Sequence, residues 1–141
     1  MNQEPSEACL LHGVLKRVSR SFYLTLAVLP SPVARQVEIA YLFARAADTI
    51  ADTGQLDRSA RIMFLQQFKL QFILESLNWD EIRAIKTAIA PQQSHHGERK
   101  LLEQLEECFK IYEKFDVKDQ EEIRKVLPTL ISGMEMDLDV F

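Results

Sequence analysis

Apolar and polar positions along the chain follow helical spacing, and no segment shows the strict alternation expected of a half-buried strand. Capping residues, prolines and glycines divide the pattern into six predicted helices. These helices span residues 6–28, 32–52, 57–77, 79–89, 98–115 and 118–139. The sequence therefore predicts an all-α fold.

The helix boundaries rest on specific start and stop signals. Ser6 and Asp57 are predicted N-caps, because their side chains can accept a hydrogen bond from the first helical turn. Pro30 ends the first helix, and residues 91–97 form a predicted loop. Pro128 lacks a backbone N–H, so we expect it to kink or break the last helix.

The helix over residues 32–52 has an unusual distribution of side chains. It is apolar nearly all round, which is typical of a buried helix. At 100° per residue, four side chains of functional type share an arc about 60° wide. They are Tyr41, Arg45, Asp48 and Asp52. Because charges on a buried helix are costly unless paired or metal-bound, we interpret this stripe as the lining of a cavity.

Asp48 and Asp52 lie one helical turn apart and repel each other. A divalent cation would relieve that repulsion, and Mg²⁺ is commonly bound by one or two carboxylates together with substrate phosphates. Arg45 could balance the charge or contact phosphate oxygens. The alternative is a pair of exposed aspartates without function, and the spacing alone leaves both interpretations open.

Composition narrows the class of protein. The 141 residues suit one domain, with 47% hydrophobic and 27% charged residues and a net charge of −4, which disfavours nucleic-acid binding. Cys9 and Cys108 form no CxxC motif, so we expect free thiols. We predict no membrane-spanning helix and no signal peptide, and we expect a cytoplasmic protein that contacts membranes only at the surface.

Two stretches carry a resemblance to a known family. The first is Ser19-Arg20-Ser21-Phe22-Tyr23, followed by Leu29-Pro30, Arg35, Ala40-Tyr41 and the segment from Arg45 to Asp52. The second, weaker stretch is Leu130-Ile131-Ser132-Gly133-Met134-Glu135-Met136-Asp137-Leu138. In order and spacing these residues resemble the squalene/phytoene synthases, which are all-α isoprenoid-synthase-type bundles.

The resemblance implies roles for individual residues. Asp48 and Asp52 match the first aspartate-rich motif, whose carboxylates hold Mg²⁺ on the diphosphate, and Tyr41 and Arg45 match residues lining the same cavity. The motif on the first helix is implied to contact the diphosphate end and the prenyl chain. Its residues are Ser19, Arg20, Ser21 and Phe22.

The resemblance also implies a reaction, the head-to-head condensation of two farnesyl or geranylgeranyl diphosphates. NADPH would be needed if the product is squalene, and not for phytoene or dehydrosqualene. Family members are about twice as long, and their second aspartate-rich motif has no counterpart in residues 1–141. We therefore expect a single partial domain, the N-terminal half of the bundle, which is inactive alone and associates with a second half-chain or with itself.

Two rival hypotheses remain at this point. The chain could be a non-catalytic helical subunit or interaction module that keeps the prenyl-synthase shape, which the absent second motif favours. It could also be a structural bundle in which the aspartate pair is incidental, which the stripe containing Tyr41 and Arg45 disfavours.

Overall fold

The computed structural model describes residues 31–140 of the chain. These residues form six α-helices and one short 3₁₀ turn, and they contain no β-strand. The helices are α1 (Ser31–Ala51), α2 (Arg58–Leu70), α3 (Trp79–Ile89), α4 (His96–Glu103), α5 (Leu105–Glu113) and α6 (Val117–Val140), with the 3₁₀ turn at Ala90–Gln92. The predicted all-α fold is confirmed. The helix predicted over residues 6–28 lies outside the described residues.

The predicted starts of the third and fourth helices, which are α2 and α3 of the structure, agree with the observed ones. Asp57 caps α2, since its Oδ1 accepts a hydrogen bond of 2.8 Å from the backbone N–H of Ala60. Asn78 caps α3 in the same way through the N–H of Glu81, at 3.1 Å. These polar side chains satisfy donors that a helix leaves free in its first turn.

The predicted end of the third helix is wrong, because α2 ends at Leu70 rather than Leu77. The residue that follows the end of α2, Gln71, is fully buried and forms hydrogen bonds through its side chain. Its amide nitrogen donates to the carbonyl of Gln67 and to Glu81, and its amide oxygen accepts from the N–H of Asn78 at 2.9 Å. These hydrogen bonds hold the chain in a turn. The turn contains no glycine or proline, so the sequence contains no signal for it.

The helix predicted over residues 98–115 is two helices, α4 and α5, separated at Gln104. Gln104 departs from helical geometry, with φ −99° and ψ 14°. Its N–H still bonds to the carbonyls of Lys100 and Leu101, at 3.0 and 3.2 Å. Helix α4 also begins at His96, inside the predicted loop over residues 91–97. Both short helices contact α1.

Of the kink or break predicted at Pro128, the structure excludes the break, because α6 runs without interruption from Val117 to Val140. Proline removes one backbone hydrogen bond, and the rest of a long helix can bridge that loss when packing holds both sides. Leu127 and Ile131, on either side of Pro128, are buried. Helix α6 contacts both α1 and α2.

An aromatic cluster forms the centre of the core. The ring centroid of Phe43 lies 4.6 Å from that of Phe109 and 5.0 Å from that of Phe72. Phe68 and Tyr112 complete the cluster, with ring centroids 6.1 and 5.7 Å from that of Phe43. Because Phe43 packs in this cluster, its face of α1 points into the core, and the opposite face of α1 points away from the core.

Within residues 31–140, no helix combines the length and the apolar character that crossing a bilayer requires.

Candidate functional site

Helix α1 has two distinct faces. One face is apolar and buried, with each residue at most 1% exposed: Ile39, Phe43, Ala46, Ala47 and Ile50. On the other face Tyr41, Arg45 and Asp48 are half-buried and Asp52 is exposed. Asp52 follows the last residue of α1, yet its N–H bonds to the carbonyl of Asp48 at 3.0 Å and keeps the helical turn.

Arg45 connects two acidic residues from different helices. Its Nη1 donates to Asp48 Oδ2 at 2.6 Å, and its Nη2 donates to Glu98 Oε2 at 3.1 Å. The side chains of Arg45, Asp48 and Glu98 are 22%, 39% and 35% exposed, so water reaches all three groups. The arginine therefore sits between α1 and α4 at the edge of solvent.

Glu98 was not predicted as a site residue. It lies 53 positions after Arg45 and in the first turn of α4. Acidic residues are common in first turns because they favour the positive end of the helix dipole, so the sequence gives no separate signal for Glu98. Only the packing of α4 on α1 brings its carboxylate to the site.

The carboxylates of the site repel one another. Asp52 is exposed, but the protein atoms around its carboxyl remove part of its hydration and raise its pKa above the ordinary value, and the charges of Asp48 and Glu98 raise it further. The guanidinium groups of Arg45 and Arg61 act in the opposite direction. Three carboxylates against two guanidinium groups leave an excess of negative charge, which is the condition that a bound cation would relieve.

The C-terminal end of α1 is held by side chains from three segments. Thr53 donates its hydroxyl to the carbonyl of Thr49 at 2.7 Å and accepts from the amide nitrogen of Gln93 at 2.9 Å. Arg61 of α2 donates from Nη1 to the carbonyl of Ala51 at 3.1 Å. These bonds satisfy helix-end groups that would otherwise need water, and they fix the turn that carries the two aspartates.

Asp48 and Asp52 offer carboxylate oxygens, which are the donors that Mg²⁺ prefers. The donor chemistry therefore fits the ion, but the pair is a partial ligand set. Among the residues that the structure describes, no group of three or more His, Cys, Asp or Glu side chains could hold a metal ion. Oxygens of a bound diphosphate and water would have to complete the coordination shell.

The second stretch of resemblance, at residues 130–138, lies on α6 and forms contacts of its own. Lys69 of α2 pairs with Glu135 Oε1 and donates to the hydroxyl of Ser132 at 3.3 Å. Asp137 is exposed. The Glu135 carboxylate therefore neutralises a lysine between α2 and α6, and it does not join Asp48 and Asp52.

Four predicted substrate-binding residues lie outside the described residues: Ser19, Arg20, Ser21 and Phe22. The structure thus brings together Arg45, Asp48 and Asp52, with Tyr41 on the same helix face, and adds Glu98 and Arg61.

Comparison with known proteins gives the family. The family model described as squalene/phytoene synthase matches residues 15–141. A protein described as Botryococcus squalene synthase, from Botryococcus braunii, is 37% identical over 57 residues, which are 40% of this chain and 12% of that protein. No solved structure matches the chain. Because the family model covers most of its length, the chain belongs to the squalene/phytoene synthase family.

Proposed function

We propose that this chain supplies the first Mg²⁺–diphosphate site of an enzyme that condenses two prenyl diphosphates head to head. The arrangement of Arg45, Asp48 and Asp52 on the solvent-facing side of α1 carries the proposal. A family member with a guanidinium 2.6 Å from one aspartate, and a second aspartate one turn away, has the groups that a metal–diphosphate complex requires.

The chemistry of the site follows from the charge of its ligand. A diphosphate leaves an allylic carbon more readily when its negative charge is neutralised, and Mg²⁺ bound to Asp48 and Asp52 would supply part of that neutralisation. Arg45 would donate hydrogen bonds to phosphate oxygens. Helix α1, fixed by the aromatic core on its other side, would hold these three groups in position before the substrate arrives.

The other predicted residues have proposed roles around the same ligand. Ser19, Arg20 and Ser21 would contact the diphosphate end, Phe22 would contact the prenyl chain, and Tyr41 would line the cavity. The 2,3-double bond of the second prenyl diphosphate would then attack the allylic cation. Ring closure with loss of a proton would give a cyclopropylcarbinyl diphosphate. Departure of its diphosphate would allow rearrangement to a 1′-1 linked cation, which would lose a proton to give phytoene or dehydrosqualene, or accept a hydride from NADPH to give squalene.

The proposed enzyme needs more than the residues described here. The aligned part of this chain corresponds to 12% of the Botryococcus protein, and within residues 31–140 no group of three or more His, Cys, Asp or Glu side chains could hold a metal ion. We propose that the chain is one part of a catalytic domain, acting on farnesyl or geranylgeranyl diphosphate in the cytoplasm, with peripheral contact to membranes that hold such apolar substrates. A second half-chain or a second copy would complete it.

A second candidate is a non-catalytic helical subunit that keeps the prenyl-synthase shape. The observation in its favour is the incomplete ligand set, because two carboxylates do not form a dedicated Mg²⁺ cage. The two proposals differ in whether the site binds diphosphate at all.

Calorimetric titration of the 141-residue chain with inorganic diphosphate, with and without Mg²⁺, tests the proposal. We expect binding that depends on Mg²⁺ and is weakened by Asp48→Asn. The matched control is Asp80→Asn, because Asp80 also pairs with an arginine on its own helix, Arg83 at 3.1 Å, but lies 96% exposed and away from the site. Absence of binding in both conditions would contradict the proposal and favour the non-catalytic subunit.

A further inference from the structure

The carboxylate-bearing end of α1 is electrostatically unfavourable by itself. The last carbonyls of a helix have no partners within the helix, and the C-terminal end of the helix dipole is negative. Asp48 lies in the last turn and Asp52 directly after it, so two carboxylates add to the negative charge of this end. Something outside α1 has to counter both problems.

Arg61 of α2 meets both requirements. Its Nη1 donates to the carbonyl of Ala51, the last residue of α1 and the neighbour of Asp52, at 3.1 Å. Its positive charge also opposes the repulsion at Asp52. Arg61 is half-buried between the helices, so its position is defined by packing rather than by free rotation in solvent.

Support of the α1 end comes with a cost in stability at another atom of Arg61. The Nε of Arg61 is buried, and within the described part of the chain it has no hydrogen-bond partner. An unsatisfied buried donor costs free energy, and a smaller residue would avoid that cost. Unsatisfied buried polar groups are few in native proteins, and each calls for an explanation.

We infer that Arg61 is a positioning residue for the diphosphate site, which holds the end of α1 so that Asp48 and Asp52 keep their spacing of one turn. This inference rests on the proposed function, because it assigns to Arg61 the support of a metal–diphosphate site. Groups that orient metal ligands without touching the metal contribute roughly 10–100-fold to metal affinity in other proteins.

The test uses three variants of the 141-residue chain. Arg61→Met keeps an unbranched apolar stem like the aliphatic part of arginine and removes the charge and the donors, whereas Arg61→Lys keeps the charge and one donor group. Arg58→Met is the matched control, because Arg58 is an exposed arginine one turn earlier on the same helix. Mn²⁺ replaces Mg²⁺ as a spectroscopic probe, and its affinity is measured by electron paramagnetic resonance in the presence of inorganic diphosphate.

The metal-free protein provides the second measurement. Hydrogen exchange of the Asp52 and Thr53 amides reports on the end of α1, because these N–H groups bond to the carbonyls of Asp48 and Ile50 at 3.0 and 3.3 Å. We expect faster exchange at both amides in Arg61→Met. We also expect Mn²⁺ affinity to fall roughly 10–100-fold in Arg61→Met and several-fold in Arg61→Lys, with Arg58→Met unchanged.

The outcomes separate the two proposals. Wild-type Mn²⁺ affinity in a folded Arg61→Met chain, even with a lower melting temperature, would overturn the positioning role and leave the diphosphate site standing. An equal loss in Arg58→Met would overturn it too, because general charge would then be the cause. Failure of the unaltered chain to bind Mn²⁺ and diphosphate would overturn the proposed function itself and this inference with it. If Arg61→Met does not fold, Arg61→Lys decides, and unchanged affinity counts against the role.

Discussion

Arg45 and Glu98 form an ion pair between α1 and α4, with Nη2 and Oε2 3.1 Å apart. Because the other end of the same guanidinium bonds to Asp48, Glu98 is connected through one arginine to the predicted metal-binding pair. The short helix α4, separated from α5 at Gln104, is what places Glu98 there. A feature of the fold that the sequence did not predict thus adds a carboxylate to the site.

Replacing Glu98 with Gln should lower the pKa of Asp52. The negative charge of Glu98 is one cause of the raised pKa of Asp52, and the amide has a similar shape without that charge. Carboxyl carbon shifts, followed by nuclear magnetic resonance across a pH titration, measure the change. Glu103→Gln is the control, since Glu103 lies on the same helix but pairs with Arg99 at 50% exposure. An unchanged pKa in Glu98→Gln would mean that solvent screens Glu98 from Asp52.

Replacing Asp48 with Asn should separate binding from folding. The Arg45–Asp48 pair is partly exposed, and such pairs contribute about 0–1 kcal/mol, so the free energy of unfolding should change by less than about 1 kcal/mol. Affinity for diphosphate in Mg²⁺ should fall more than about tenfold, because a direct ligand matters at least as much as the groups that support it. Denaturant unfolding and calorimetry measure the two quantities.

The opposite outcome for Asp48→Asn would be equally informative. Wild-type affinity combined with a large loss of stability would mean that Asp48 serves the packing of α1 and α4 rather than a ligand. Asp80→Asn, which affects an ion pair of the same spacing, controls for the general effect of losing one surface charge.

Shortening a side chain on the buried face of α1 should lower stability, in contrast to Asp48→Asn, which should lower ligand affinity. Ile50 is fully buried, and Ile50→Ala should lower the free energy of unfolding by roughly 2–5 kcal/mol through the cavity it leaves. Ile73→Ala is the matched control, since Ile73 is 55% exposed and should cost much less. Denaturant unfolding measures both changes. Similar losses in the two variants would contradict the division of α1 into a core face and a site face.

The parts of the fold that the sequence predicted are those with strong local signals. The capping role of Asp57 and the span of α3 follow from residues that act within one turn of themselves. The two faces of α1 follow from helical periodicity, because apolar side chains occupy most of that helix outside the stripe. Local chemistry and tertiary packing agree in these segments.

The parts that the sequence did not predict depend on contacts between distant residues. The end of α2 follows from buried Gln71, whose partners include Asn78 and Glu81 in the next element. Glu98 and Arg61 reach the site only through the packing of α4 and α2 on α1. No spacing rule joins positions that are brought together by the fold, so these two residues could not have been named in advance.

Cys108 should be unreactive in the folded chain. Burial raises the pKa of its thiol to about 12, and the thiolate is the form that reacts with disulfide reagents. In a Cys9→Ser background, labelling near pH 8 should therefore proceed only as fast as the chain opens, and denaturant should make it immediate. Rapid labelling without denaturant would contradict the packing of α5 against the core.

The pH dependence of stability should report the repulsion at Asp52. Its pKa in the folded chain is raised from 3.8, so between that value and the folded pKa the folded state binds more protons than the unfolded state. The contribution of Asp52 therefore lowers the free energy of unfolding as pH rises through this window. Asp52→Asn should remove that contribution, and Mg²⁺ with diphosphate should reduce it in the unaltered chain by neutralising the carboxylates. Thermal unfolding as a function of pH measures each case. A slope that Asp52→Asn leaves unchanged would show that the excess negative charge of the site does not act on folding.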